Sequence, residues 1–391
     1  MLKNNKLIRF NEPYITGNEQ KYILDVFERM SFYGVGYYTN KCQKLIEDQI
    51  NAKNVILTDS CTSALEMTAL LLRDWDQDQE VILPSYSFTS TAAAFARAGF
   101  KIVFAEINPK TMMIDFDDFL NKVTNKTVAV VVVHYGGFGV NTSLFKEICI
   151  KKSLYLIEDA AQAYGSIENG TSLGTIGDFG CFSFHETKNL HAGLSGALVV
   201  NNDEFKERAV CILERGANRQ QVLKGLADKY SWVEIGGSFY PTEIQAAFLF
   251  SQLETFNENM KIRRKIFNGY YDIFIKEALE NFYFPILKKD FQTNFHAFWV
   301  IFDSISECDF VRESLVENKI NAYIGYVPLH SSKVGKRMGY SEEDLKITEE
   351  YAEKILRLPL HCNMTEDDSK MVAKIIIQFV KEYRNQPRLK K

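Results

Sequence analysis

The chain has no Cys-x-x-Cys pair, no His-Glu-x-x-His or His-x-x-x-His spacing, and no apolar run longer than Val128–Val133. Its seven cysteines (42, 61, 149, 181, 211, 308 and 362) are an odd number scattered over 391 residues. That excludes a fully paired disulfide framework or a zinc ribbon, and the cysteines read as reduced, mostly buried thiols. The six histidines give no ligand spacing, so no metal is expected. The longest apolar runs are far too short to span a bilayer, and the polar start Met1-Leu2-Lys3-Asn4-Asn5-Lys6 holds no signal core. A cytoplasmic protein is expected. Lys plus Arg number 46 against 50 Asp plus Glu, a net charge of −4, with no dense basic run before the C-terminal tail. Nucleic-acid binding, which has to neutralise many phosphates, is therefore disfavoured, and small charged metabolites remain as ligands. No Gly-x-Gly-x-x-Gly follows the first strand, and Gly136-Gly137-Phe138-Gly139 lies too far along with the wrong spacing. This argues against a dinucleotide-binding oxidoreductase or epimerase, and the Tyr-x-x-x-Lys spacing of Tyr37 and Lys41 stands alone.

What the chain does have is 46% hydrophobic residues, enough for a sizeable core shared between two domains. Apolar, β-branched runs recur at Val55–Thr58, Glu80–Leu83, Ile102–Phe104, Val128–Val133 and Leu154–Ile157. Runs apolar on both faces and separated by helical patterns predict a mainly parallel sheet flanked by helices in an α/β domain. Helices are expected over Ser63–Leu72, Phe205–Leu213 and Thr242–Leu253, the last with Pro241 in its first turn. This large domain is placed at residues 1–255. From 256 to 391 the pattern predicts a smaller α+β domain: a helix through Tyr271, a strand Ala297–Phe302, a helix Asp309–Asn318, a strand near Tyr323 and a final helix Asp367–Tyr383. The tail from Arg384 to Lys391 reads as a solvated end.

Three segments carry chemistry. In Gly180–Asn189 a short apolar strand opens into a polar cluster around Lys188, flanked by His185 and Glu186. A lysine amine held partly desolvated loses its charge readily and can condense with an aldehyde cofactor; otherwise it is a surface charge. In Ile157-Glu158-Asp159-Ala160-Ala161-Gln162 an acidic pair ends an apolar strand. Asp159 there suits either a protonated pyridine nitrogen or a helix N-cap. In Thr58–Leu65 a strand passes through hydroxyl residues into a helix, where free N–H groups with Thr62 and Ser63 suit a phosphate, or simply cap the helix. A phosphate cradle, a pyridine-directed carboxylate and an aldehyde-binding lysine together are what pyridoxal 5'-phosphate requires.

These segments resemble the nucleotide-sugar aminotransferases of the DegT/StrS type, pyridoxal phosphate enzymes of fold type I. The likeness runs from Phe10-Asn11-Glu12-Pro13 through Ser60–Met67, Leu83–Phe88, Glu158–Gln162 and the lysine segment to Ile244-Gln245-Ala246-Ala247. Ser60–Leu72, Ser183–Asn189 and Asp228–Trp232 look most like the branch that makes dTDP-4-amino-4,6-dideoxygalactose. The resemblance implies that Lys188 holds the cofactor, Asp159 faces its ring nitrogen, Phe88 stacks on the ring, Thr62, Ser63 and Ser183 hold the phosphate, and Gln162 lies near the phenolic oxygen. It implies a homodimer with shared active sites, in which Ser238 stands where the family places an asparagine reaching the neighbour's cofactor. It also implies L-glutamate as amino donor and a dTDP-4-keto-6-deoxyhexose as acceptor, for a surface polysaccharide such as an O-antigen. Candidate substrate contacts are His185, Glu186, Arg219 and, in Tyr326-Val327-Pro328-Leu329-His330, His330. The chain departs from the family pattern at Gly193-Leu194-Ser195-Gly196, where Gly-Glu-Gly-Gly is usual. The gluco epimer, a 3-keto-sugar, and a non-transaminating relative such as a sugar dehydratase stay open.

Overall fold

The structure, a computed structural model, describes residues 6–225 and 227–386. The expectations for the first five residues and for the tail beyond Gln386 lie outside the described residues.

The first nine strands are β1 (Val55–Thr58), β2 (Glu80–Pro84), β3 (Lys101–Ala105), β4 (Thr127–Val133), β5 (Tyr155–Asp159), β6 (Ile167–Glu168), β7 (Thr171–Ser172), β8 (Phe179–Ser183) and β9 (Gly196–Val200). Seven of them form one sheet in the order β1-β9-β8-β5-β4-β2-β3. The neighbours from β3 to β8 are parallel, while β9 runs antiparallel to both β8 and β1. The sheet's near-continuous apolar runs follow from cover on both faces. Alternate residues serve opposite cores: Leu83, Val131 and Ile157 pack with the helices Cys61–Leu72 and Thr89–Arg97, while Ile82, Val130 and Leu156 pack with Phe119 and Phe145 of the opposite layer. At the β1 end, Leu57, Phe182 and Val199 face the helices Tyr37–Ile50 and Glu243–Glu254.

The remaining strands are β10 (Phe291–Gln292), β11 (Phe298–Ile301), β12 (Tyr323–Ile324) and β13 (Ile355–Leu358). The last three form a sheet in the order β11-β13-β12, antiparallel throughout. The long helices Phe256–Glu277 and Glu366–Asn385 pack on it through Phe267, Tyr270, Val372 and Ile376.

Several sequence expectations shift. The helix at 242 starts one residue later, because Thr242 is its N-cap and closes a capping box with Gln245; Pro241 therefore precedes the cap. The helix expected at Asp309 begins at Ile305, where Ser304 accepts the Glu307 N–H. The helix that starts at Phe256 continues past Tyr271 to Glu277. β13 was not anticipated: the helix Lys346–Lys354 runs directly into it with no turn residue between, and Arg357 interrupts its apolar run.

Candidate active site

Parallel strands bring their carboxyl ends to one edge, and in this sheet β1, β5 and β8 deliver Asp59-Ser60, Asp159 and Ser183 to the same place. There a cavity of about 410 Å³ opens, roofed by His296, Tyr326 and Arg357 from the second sheet and its approaches, and by Phe10.

Asp159 is the last residue of β5 and is almost fully buried. Its Oδ2 accepts a hydrogen bond from Thr91 Oγ1 at 2.6 Å and its Oδ1 accepts the Ala161 N–H at 3.2 Å. The next residues form a turn, not a helix, so the capping alternative falls away and a buried carboxylate remains at the cavity floor. Its neighbour Glu158 fixes that strand end from the other face. It accepts N–H bonds from Gly174, Ile176 and Gly177 at 2.6–2.7 Å and sits 2.9 Å from His134 Nε2.

Lys188 lies in the connection between β8 and β9, its backbone N–H bonded to the His185 carbonyl at 2.8 Å, and its side chain lines the cavity. Burial holds its pKa below the ordinary lysine value; the Arg357 charge works the same way, and Cys61 and Asp159 oppose the shift.

The helix Cys61–Leu72 points its first turn at the cavity, which Ser60, Cys61 and Thr62 line. Ser60 Oγ takes the Ser63 N–H at 3.1 Å, leaving the Cys61 and Thr62 amides at the mouth of the helix. Gly196 packs against this start so closely that a methyl group there would lie 2.3 Å from the Cys61 nitrogen. Phe88 stands on the cavity wall with 58% of its surface exposed. Gln162 accepts the Gly136 N–H at 2.7 Å and donates to the Tyr326 hydroxyl at 2.5 Å.

The structure thus brings Thr62, Phe88, Asp159, Gln162, Ser183, His185 and Lys188 around one cavity. Ser63 is turned aside, its hydroxyl donating to Asp59 in a short hydrogen bond. Glu186 is exposed and does not line the cavity. Arg219 is exposed beside Glu214 at 3.7 Å, and Ser238 accepts from Arg215 Nη2 at 3.1 Å on the surface. His330, expected at the substrate, does not line the cavity: its side chain is fully buried, with Nδ1 2.7 Å from Ser85 Oγ and Nε2 3.3 Å from Glu349.

The lining residues that were missed include His296, Tyr326 and Arg357. His296 precedes a strand that was foreseen, and Tyr326 belongs to a segment noted only for its histidine. Arg357 sits on the strand that was not foreseen. The Asn189 side chain donates to the Asn294 carbonyl, so its Oδ1 faces His296 Nδ1 at 2.9 Å; Nδ1 carries the proton and Nε2 the lone pair. Burial first, then the Lys188 charge, keeps that imidazole neutral, well below the ordinary histidine range.

The donor set fits pyridoxal phosphate: a carboxylate and an amine of lowered pKa in one cavity, an exposed aromatic face, and helix N–H groups for a dianion. Residues 13–377 match the DegT/DnrJ/EryC1/StrS aminotransferase family. A GDP-perosamine synthase of Vibrio cholerae is 26% identical, the match covering 95% of this chain and 99% of that protein. A dTDP-4-dehydro-2,3,6-trideoxy-D-glucose 4-aminotransferase of Saccharopolyspora spinosa is 27% identical, over 94% of this chain and 95% of the relative. Among solved structures, the aminotransferase TlmJ of Streptoalloteichus hindustanus superposes with a TM-score of 0.87 at 26% identity, covering 96% of this chain and all of that one.

Proposed function

We propose a substrate pair for this chain, which belongs to the DegT/DnrJ/EryC1/StrS aminotransferase family, has the fold type I architecture and uses pyridoxal phosphate: the amino group of L-glutamate passes to a dTDP-4-keto-6-deoxyhexose. The product is a dTDP-4-amino-4,6-dideoxyhexose of galacto configuration, destined for a surface polysaccharide. The observation that carries the reading is the convergence of Lys188, Asp159 and the start of the Cys61 helix on one cavity. The 4-amino chemistry and the dTDP carrier are supported by the name of one relative, the dTDP-4-dehydro-2,3,6-trideoxy-D-glucose 4-aminotransferase, while the name of another, the GDP-perosamine synthase, carries GDP instead.

The cofactor supplies an electron-withdrawing ring that stabilises negative charge on the substrate carbon. The protein's residues do the rest. Asp159, held by Thr91 and Ala161, would face the ring nitrogen and favour its protonated form. The Cys61 and Thr62 amides with the Thr62 and Ser183 hydroxyls would hold the phosphate, Phe88 would lie against the ring, and Gln162 would lie near the phenolic oxygen. Lys188 Nζ, its charged form disfavoured by burial, would bind the aldehyde and, once released, move the proton at the substrate carbon. His185 contacts the sugar. In this reading the chain divides into a large cofactor-binding domain, 1–255, and a smaller C-terminal domain, 256–391. The enzyme works as a homodimer, supported by exposed apolar side chains at Leu24, Phe27, Met30, Tyr230 and Trp232. Ser238 then serves the partner's site. Among the described residues no helix is long and apolar enough to cross a membrane.

The test is a visible spectrum of the protein loaded with pyridoxal phosphate, taken before and after L-glutamate and again after dTDP-4-keto-6-deoxyglucose, with NMR of the sugar product. Glutamate should bleach the cofactor band and the sugar restore it, and ring couplings should show galacto configuration. A gluco product, or a response only to a GDP-linked or 3-keto sugar, replaces the acceptor assignment. No band, or a band indifferent to amino donors, overturns the transaminase reading.

A further inference from the structure

Two hydroxyls outside the residues assigned above reach the cavity from a single turn of helix. The helix Thr89–Arg97 starts after Phe88, and Phe88, Ser90 and Thr91 all line the cavity. Thr91 is 1% exposed, and its Oγ1 lies 2.6 Å from Asp159 Oδ2. Ser90 Oγ lies 2.8 Å from Thr62 Oγ1, in the first turn of the neighbouring helix Cys61–Leu72. Adjacent residues on a helix point about 100° apart, so this one turn sends a hydroxyl to each partner.

The partners decide which way each hydrogen points. A carboxylate only accepts, so Thr91 donates to Asp159, and its hydrogen is not turned back to a carbonyl of its own helix. The other oxygen, Oδ1, takes the Ala161 N–H at a longer 3.2 Å, which makes Thr91 the closer of these two donors to a carboxylate only 4% exposed. Donors to a carboxylate favour its ionised form, while burial favours the protonated one. A proton shared between Asp159 and a ring nitrogen therefore stays on the nitrogen while Thr91 donates, and moves toward the carboxylate once that hydroxyl is removed. The pair of Ser90 and Thr62 allows either direction, and a phosphate selects one. Phosphate oxygens accept, so the Thr62 hydrogen goes to them; Ser90 then donates to Thr62 Oγ1 and holds it turned.

Resting on the placement of Asp159 and Thr62 at the cofactor proposed above, we propose that Thr91 and Ser90 are positioning residues with separate tasks. Thr91 keeps the ring-nitrogen proton off Asp159, and Ser90 directs the Thr62 hydroxyl to the phosphate. One helix turn, with Phe88 at its start, thereby sets two ends of the cofactor.

The experiment uses enzyme loaded with pyridoxal phosphate carrying ¹⁵N at the ring nitrogen, as wild type and as Thr91→Val, Thr91→Ala, Thr91→Ser, Ser90→Ala and Asp159→Asn, with circular dichroism confirming each fold. Thr91→Val should move the ring-nitrogen resonance toward the unprotonated position, in the direction of Asp159→Asn but less far. It should slow bleaching of the cofactor band by L-glutamate about tenfold or more, while cofactor affinity stays within about threefold of wild type. Thr91→Ala repeats the test without the branched side chain, and Thr91→Ser, which keeps the hydroxyl, should hold the wild-type resonance. Ser90→Ala should weaken equilibrium cofactor binding about tenfold and leave the resonance in place. The resonance and the affinity are read without any amino donor, so a wrong donor does not blur the result. A wild-type resonance in Thr91→Val and Thr91→Ala, a displaced one in Thr91→Ser, or unaltered cofactor affinity in Ser90→Ala overturns the inference. So does the same loss of both readouts in every variant, which marks a general loosening of the helix. If Asp159→Asn itself leaves the resonance in place, the Asp159 assignment falls and this inference with it; if Asp159→Asn moves it and Thr91→Val does not, the inference alone falls.

Discussion

Replacing Gly196 by alanine tests whether the helix start at Cys61 holds the cofactor's phosphate. Gly196 opens β9, paired with Thr58 on one side and Ser183 on the other, two strand ends that border the cavity. A methyl group on it lies 2.3 Å from the Cys61 nitrogen and 2.4 Å from the Ser60 carbonyl carbon, and both are backbone. Ordinary contact begins near 3.4 Å, so the helix start has to retreat by about 1 Å. Overpacking of this kind costs about 1–3 kcal/mol of stability. The same retreat stretches the amide contacts to a phosphate beyond hydrogen-bond range. Losing one or two charge-assisted bonds at about 1.5–3 kcal/mol each predicts cofactor affinity lower by about one to four powers of ten. Equilibrium binding of pyridoxal phosphate, followed by absorbance, and urea unfolding of the apo-protein give the two numbers. Gly180→Ala is the comparator: its methyl meets the Gly174 carbonyl at 2.0 Å, away from the cradle, and should cost stability without a matching loss of cofactor. Wild-type cofactor affinity in Gly196→Ala, with lowered stability, would remove the phosphate from this helix.

Lys188→Ala should abolish turnover and the visible cofactor band while leaving the circular dichroism spectrum unchanged; turnover in that variant would end its assignment. Asp159→Asn should cut kcat on the order of a hundredfold or more, the scale of a lost charge-assisted contact at a reacting group, and steady-state kinetics at saturating cofactor decides. Since burial lowers the Lys188 pKa, the unfolded chain binds more protons between that lowered value and the ordinary lysine range, and apo-protein stability rises with pH there. Apo Lys188→Met should therefore be more stable than wild type at neutral pH, with the gap closing as the pH climbs through that window; parallel unfolding curves at all pH values would contradict the shift. His330→Phe should lower stability by about 1–3 kcal/mol, through the unpaired Ser85 hydroxyl and the lost Glu349 contact, and leave KM for both substrates unchanged.

The sheet was legible in the sequence because its strands are buried on both faces: Val128–Val133 and Leu154–Ile157 have to be apolar throughout, and that local signal survives without knowledge of the partners. Asp159 and Thr62, which line the cavity, were legible because polar residues that end or follow an apolar run stand out, while Ser183 came from the family resemblance. Lys188 followed from the polar cluster beyond β8. What the linear pattern does not carry is who stands opposite whom. His330 looked as eligible as His185 until packing put one under Ser85 and the other in the cavity. Ser63 and Thr62 are adjacent hydroxyls on one helix turn, and only the Asp59 side chain decided which of them faces outward. Arg357 lies far along the chain from Phe10, and its place on the cavity wall depends on β13 sitting between β11 and β12, a pairing set by tertiary contacts. The sequence by itself determined the α/β class, most strands of the large sheet and the chemistry available, because these rest on residue type and period. The tertiary structure alone decided which side chains meet around the cavity, because burial and pairing are properties of distances between segments and not of the order of residues.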